Sequence, residues 1–229
     1  MVNKSAMTKR RTAIDLFSGA GGLTQGLKQA GFDVIGAIEF HPVYAESYHM
    51  NHPEVNLKIS DISKVDPVIY MEELGLDTGE LDLLAGCPPC QGYSTIGTRN
   101  RGNKNDPRNR LVYQVLRFAL AFKPKTIMME NVPALVNDIK LTRLIAELKK
   151  AGYKIDVKVL NMSNYNVPQA RRRMIMLASR LGEIEVVEQK LSTDKIVTVR
   201  KAISFLPPVG QSGDKLHDIV EKHKPNTKK

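Results

Sequence analysis

Short apolar runs alternate with amphipathic segments along the first 180 residues of the chain. The apolar runs are Thr12–Phe17, Asp33–Phe40 (DVIGAIEF), Val55–Ile59, Leu81–Ala85, Thr126–Glu130, Lys154–Leu160 and Met174–Ala178, and each predicts a strand. Helices are expected between them: after a Gly-rich turn to about Ala30, over Pro42–Asn51, over Leu111–Phe122 and over Ile139–Lys150. The last is the clearest. Leu141, Leu144, Ile145 and Leu148 fall at i, i+3, i+4 and i+7 on one face, and Gly152 follows as a stop signal.

Several strands are apolar throughout rather than alternating, which suits a parallel sheet covered on both faces. With the strand–helix order, this predicts an α/β fold, a doubly wound, Rossmann-like and mostly parallel sheet. In such sheets the ligand site lies beyond the carboxyl ends of the strands. Two stretches break the pattern. Gly92–Arg110 is long, polar and rich in Gly, Asn and Arg, as functional loops often are. Beyond Leu181 the alternation fades; a helix near Val199–Phe205 leads to Pro207-Pro208 and a basic tail. The expected organisation is a basic tail over 1–11, a cofactor-binding and catalytic domain over 12–180, and an appended segment over 181–229.

Composition narrows the class. Apolar residues make up 42% of the 229, an ordinary globular proportion that argues against disorder. No apolar run approaches the ~18 residues of a membrane span, and the basic Met1–Arg11 has no apolar stretch behind it to make a secretory signal. Cys87 and Cys90 are the two cysteines, too few for a disulfide scaffold and suited to a reducing compartment, so a cytoplasmic location is expected. The formal net charge of +10 favours a polyanionic partner such as nucleic acid, although part of the excess sits in the two tails.

The chemistry sits just past the strands. After the first comes Asp15-Leu-Phe-Ser-Gly19-Ala-Gly21-Gly22-Leu-Thr, a turn that permits close backbone approach at a helix start. A dinucleotide fingerprint would want Gly at 24, where Thr stands. Glu39 closes the second strand, where a carboxylate can accept bonds from ribose hydroxyls. Asp61, after the third, reads as a ligand-facing carboxylate or as a helix N-cap.

Gly86-Cys87-Pro88-Pro89-Cys90-Gln91 follows the fourth strand. It can be a redox dithiol, half of a zinc site with His49 and His52, an inert pair, or one nucleophilic thiol on a rigid loop. Glu130, ending an apolar strand, is expected to be partly desolvated and suited to hold a proton. In Arg171-Arg172-Arg173, period two puts Arg171 and Arg173 on one face, able to clamp phosphate or a ring edge; a solvated basic turn is the plain alternative.

Taken together, DLFSGAGG, the EF pair after the second strand, Asp61-Ile62, GCPPCQGYS, MENV and YNVPQARRR resemble the DNA (cytosine-5) methyltransferases. The pieces stand in the family's order over about residues 12–180. VTVRKAISFLPPV and KLHDIVEKHKP also look like the family's lead-in to its target-recognition region. The resemblance implies the fold of S-adenosylmethionine-dependent methyltransferases, with that cofactor leaving as S-adenosylhomocysteine. Cofactor contacts would come from Phe17, Gly19, Gly21, Gly22, Leu23, Glu39, Asp61, Ile62, Pro89 and Leu111. Cys90 would attack C6 of a cytosine flipped out of double-stranded DNA, with Glu130 and Arg171 as the other catalytic groups. Gln91, Ser94, Asn131, Gln169 and Arg173 would meet the substrate. The loop arginines Arg99 and Arg101, with Lys104, Arg108 and Arg110, would meet phosphates. Cys87 has no part in this scheme and is expected to be a packed small residue. No metal or membrane is implied, and the work would be done at the nucleoid.

Complete single-chain members of the family continue into a target-recognition region and a final Asn-containing segment, which are absent here, so the fold would be incomplete at its C-terminus. The expectation is a catalytic part completed by a second polypeptide. A truncated or non-catalytic DNA- or cofactor-binding fragment, a tRNA cytosine-5 methyltransferase and a redox dithiol are the other readings.

Overall fold

The computed structural model describes residues 10–89, 110–215 and 217–219. The chain forms two compact units. The first holds the residues up to Leu160 together with Arg172–Glu188, and the second holds Asn161–Arg171 and the residues from Gln189 onward.

The first unit is built on seven strands: β1 (Arg11–Leu16), β2 (Phe32–Glu39), β3 (Asn56–Ile59), β4 (Leu83–Gly86), β5 (Thr126–Asn131), β6 (Lys154–Asn161) and β7 (Arg172–Ser179). Their order across the sheet is β3-β2-β1-β4-β5-β7-β6. β1 pairs in parallel with both β2 and β4, β2 with β3, and β4 with β5, while β7 runs antiparallel to β5. The doubly wound, mostly parallel α/β sheet expected from the sequence is therefore present. The strand order reverses at β1, which makes the carboxyl ends of β1 and β4 the place for a ligand.

Alternation along the central strands sends side chains into two cores. From β1 and β4, Ala13, Leu83 and Ala85 join Leu27, Val34, Tyr48 and Val55 on one face. Ile14, Leu16 and Leu84 join Val115, Phe118, Phe122, Leu144 and Leu148 on the other. A strand buried on both faces can be apolar at every position, which is why these segments read as continuous runs.

The helices α1 (Gly22–Gln29), α2 (Pro42–Asn51), α4 (Val112–Phe122) and α5 (Ile139–Lys150) stand within a residue of their expected bounds. A further helix, α3 (Pro67–Glu73), was not expected. It is a two-turn segment whose start is marked by Asp66, whose carboxylate accepts the Val68 and Ile69 N–H groups, and by Pro67 at the first helical position. In the second unit, α6 (Val199–Ile203) is shorter than the expected Val199–Phe205 and is capped by the Thr198 hydroxyl. There the Asp218 carboxylate accepts the N–H groups of Gly210, Ser212 and Gly213, closing the turn after Pro207-Pro208.

Candidate functional site

The carboxyl ends of β1, β2 and β4 open on a cleft of about 790 Å³. Phe17, Gly19, Glu39, Phe40, Tyr44, Asp61, Ile62, Cys87, Pro89, Arg110, Leu111 and Gln114 are among its walls. Every cofactor residue expected from the sequence lies in or beside this wall except Gly21, Gly22 and Leu23, which form the turn and helix start behind it.

The turn after β1 is held in a conformation that local sequence makes possible. Phe17 and Gly19 have positive φ (64° and 55°), and Gly21, at 96°, precedes the first residue of α1. A side chain at Gly21 would also have no room, because its Cβ would overlap the imidazole of His52. His52 is buried and bonds the Gly21 carbonyl through Nε2 at 3.0 Å. Its Nδ1 takes the Lys28 ammonium at 2.8 Å. An ammonium can only donate, so Nδ1 is the acceptor and Nε2 carries the proton that Gly21 receives. Both ring nitrogens are thereby engaged with protein groups, which removes His52 from the zinc reading of the sequence.

Glu39 is the hinge of the site. One carboxylate oxygen accepts the Gly19 N–H at 2.8 Å, the other the His41 N–H at 2.7 Å. The side chain thus ties the β1 turn to the start of α2 and still has lone pairs for ligand hydroxyls. Asp61 is a cap, one of its two sequence readings, and it also stands in the cleft wall. Its Oδ1 caps a 3-10 turn (Ile62–Lys64) by accepting the N–H and O–H of Ser63, and its carboxylate lines the cleft. Those bonds hold its carboxyl below the usual carboxylate range, so it faces the cleft as an anion. Phe17, Phe40, Ile62 and Leu111 supply apolar surface in the same cleft as these two carboxylates. Phe40, read from the sequence as part of the EF pair, and Tyr44, which carried no sequence signal, also line the cleft. They are 68% and 53% exposed and present their rings in the cleft wall.

Beneath the turn lies Asp15, fully buried at the end of β1. Its Oδ2 accepts the Thr24 O–H at 2.8 Å, and Thr24 meets the Tyr48 hydroxyl at 2.8 Å. Its Oδ1 has no partner among the described residues. Burial pushes the Asp15 carboxyl up to about 7 against the lowering effect of Thr24, with Glu39 adding repulsion.

Next to Cys87, Glu130 is the penultimate residue of β5 and receives Arg173 from β7, Nε to Oε1 at 2.6 Å. The antiparallel register sets Glu130 opposite Ile175, two positions beyond Arg173 on the same face. Strand β7 begins at Arg172, so only Arg173 of the expected Arg171–Arg173 pair lies within it. Arg171 and Gln169 belong to the second unit, where both are exposed and the Arg171 N–H bonds the Gln169 carbonyl. Asn131, expected against the substrate, is buried instead. Its amide donates to the Pro88 carbonyl at 2.9 Å and its oxygen accepts the Val132 N–H at 2.8 Å. It thus fastens the loop after β4 to the end of β5.

Cys87 is half-buried and contributes to the cleft wall rather than to the core. Burial and the neighbouring carboxylates of Glu130 and Asp15 push its thiol far up, so it stays protonated and is a poor nucleophile. Cys90, Gln91, Ser94, Arg99, Arg101, Lys104 and Arg108 lie outside the described residues. Arg110, grouped with the phosphate-contacting loop on sequence, lines the cleft.

Comparison with known proteins follows the same outline. The sequence model of the C-5 cytosine-specific DNA methylases matches residues 11–229. The chain is 38% identical over 173 residues to the Type II methyltransferase M.AgeI of Thalassovita gelatinovora, covering 74% of this chain and 40% of that protein. It is 33% identical over 223 residues to M.AquIA of Picosynechococcus, covering 85% of this chain and 88% of that protein. Among solved structures, a protein assigned as a DNA modification methyltransferase of an E. coli prophage superposes with a TM-score of 0.73 at 28% identity. That match covers 87% of this chain and 56% of the other. The chain therefore spans about half the length of several of its relatives.

Proposed function

Since the chain belongs to the C-5 cytosine-specific DNA methylase family, we propose that it transfers a methyl group from S-adenosylmethionine to C5 of cytosine in double-stranded DNA. The observation that carries this reading is the cleft. Its walls carry the carboxylates of Glu39 and Asp61 with apolar side chains suited to an adenosine, and they include Pro89, the residue before Cys90, and Cys87, whose thiol neighbours Glu130 of the Glu130–Arg173 pair.

S-adenosylmethionine, when bound, supplies an electrophilic methyl on a sulfonium. The chain's residues orient it. Glu39 accepts from the ribose hydroxyls while its bonds to Gly19 and His41 hold it still, and Asp61 accepts from the adenine amino group. Cytosine C5 is a poor nucleophile until a soft, reversible nucleophile adds at C6. The Cys90 thiolate forms that bond, while Glu130 in its protonated form donates its proton to N3 and accepts from the amino group, which neutralises the electron density moved into the ring. The methyl would pass to C5 with S-adenosylhomocysteine as the leaving product, solvent water would take the C5 proton, and the returning electrons would break the C6–S bond, freeing Cys90 while the N3 proton returns to Glu130. Arg173 holds the Glu130 carboxyl group in place, and Arg171 contributes positive charge to the flipped base. Gln91, Ser94, Gln169 and the loop cations Arg99 and Arg101 complete the DNA contacts. The work belongs to the cytoplasm, at the nucleoid. The similarity to Type II methyltransferases supports a restriction–modification role. We further propose that a second polypeptide supplies target recognition.

The test is transfer of a labelled methyl group from S-adenosylmethionine to mixed-sequence duplex DNA, with the chain alone and with a polypeptide carrying a target-recognition region. Transfer is expected with the second chain, lost in Cys90→Ser and kept in Cys87→Ser. Transfer by Cys90→Ser would overturn the covalent mechanism. Loss on replacing either cysteine would favour the dithiol reading. Transfer by the chain alone would remove the need for a second polypeptide.

A further inference from the structure

Three groups in the first unit are used neither by the cofactor contacts above nor by the core: Gln114, Arg117 and the Ile62 carbonyl. Gln114 lies on the first turn of α4 and lines the cleft together with Asp61, Ile62 and Ser63. Arg117, one turn further on, donates from Nε to the Gln114 Oε1 at 2.8 Å. Its Nη2 donates to the Ile62 carbonyl, and its guanidinium also lies 5.3 Å from the Phe118 ring.

The direction of the Gln114 amide follows from chemistry. A guanidinium has five donors and no acceptor, so only the Gln114 oxygen can face it. The amide –NH₂ is then the end left for the cleft, and it has no protein partner among the described residues. Arg117 thereby sets two things at once: the backbone that follows Asp61, and the side on which Gln114 shows its donors. Planar forked geometry makes this possible; a lysine at the same place would be a single point charge.

We propose that Gln114 is a further cofactor-contacting residue, donating a hydrogen bond to a ring nitrogen of the adenine, and that Arg117 is its positioning residue. The proposal rests on the cleft being the S-adenosylmethionine site. Asp61 presents an acceptor and Gln114 a donor to the same purine, so the pair favours a ring that carries an amino donor and bare ring-nitrogen acceptors. Such a pair discriminates, because a site built to hydrogen-bond a group is left unpaired by an analogue lacking it.

The experiment is calorimetric binding of S-adenosylhomocysteine and of three analogues, each with N1, N3 or N7 of the adenine replaced by CH. It uses the full chain and four variants. Gln114→Glu keeps the acceptor for Arg117 and removes the donor, so the wall stays in place while the contact is lost. Gln114→Leu removes both, and Arg117→Lys removes the fork while keeping the charge. Glu39→Ala reports on the cleft itself. Gln114→Glu and Gln114→Leu should each weaken S-adenosylhomocysteine about three- to tenfold, the range of one hydrogen bond.

One CH analogue should bind the unaltered chain weaker by a similar factor, and that penalty should vanish in both Gln114 variants. In Arg117→Lys it should shrink, which a merely structural role would not produce. The proposal is overturned if Gln114→Leu binds within twofold of the unaltered chain while Glu39→Ala binds poorly. It is also overturned if every analogue keeps its full penalty in Gln114→Glu. If Glu39→Ala binds unchanged, the cofactor reading of the cleft falls, and the Gln114 contact with it.

Discussion

Asp15→Asn isolates the energetic consequence of a carboxyl enclosed at the end of the central strand. Asp15 is fully buried, one of its oxygens is unpartnered among the described residues, and its folded pKa is raised from 3.8 to about 7. A raised acid pKa means that the folded state holds the proton more tightly than the unfolded state. Stability from this group is therefore complete below the unfolded value and is lost as pH rises towards the folded one. A rise of that size corresponds to about 4 kcal/mol, of which about 3 kcal/mol falls between about pH 4.5 and about pH 8.

Asparagine stays neutral throughout. Its oxygen can keep the Thr24 bond, and its –NH₂ carries a pH-independent cost of about 1–3 kcal/mol if left unpaired. The variant should thus gain on the unaltered chain by about 3 kcal/mol over that pH interval, whatever the constant offset. Urea unfolding followed by far-UV circular dichroism at several pH values reads this difference directly. Curves that stay parallel from acid to mildly alkaline pH would refute the reasoning, because they would show that Asp15 binds no extra proton in the folded chain.

Gly21→Ala should destabilise by about 2–4 kcal/mol, combining overpacking against His52 with a left-handed backbone. In a His52→Ala background the same change should cost less, and equal costs in the two backgrounds would dismiss the clash. Asn131→Ala should lower stability by about 1–3 kcal/mol through the freed Pro88 carbonyl and Val132 N–H, and hydrogen exchange should show the Val132 amide opening faster. An unchanged exchange rate there would deny Asn131 its clamping role.

Much of this protein is written in local patterns. Strands buried on both faces of a sheet are apolar at every position, so their existence, order and near-correct bounds could be read from the chain. The residues just past them, Gly19, Glu39, Asp61 and Pro89, could likewise be expected at one cleft, because a doubly wound sheet gathers its strand ends. α3 escaped notice because seven residues give too short a period, although Asp66-Pro67 marks its start.

Other features depend on partners far apart in sequence, and only the tertiary structure decided them. Register between β5 and an antiparallel β7 puts Arg173 on Glu130. The fold brings His52 under Gly21 and encloses Asp15 without a second partner among the described residues. It also turns Asn131 inward to hold Pro88 and aims Arg117 at both Gln114 and Ile62. A residue's type and spacing determine which element it joins. Which polar atoms it meets, and whether water can reach it, depends on how the elements pack.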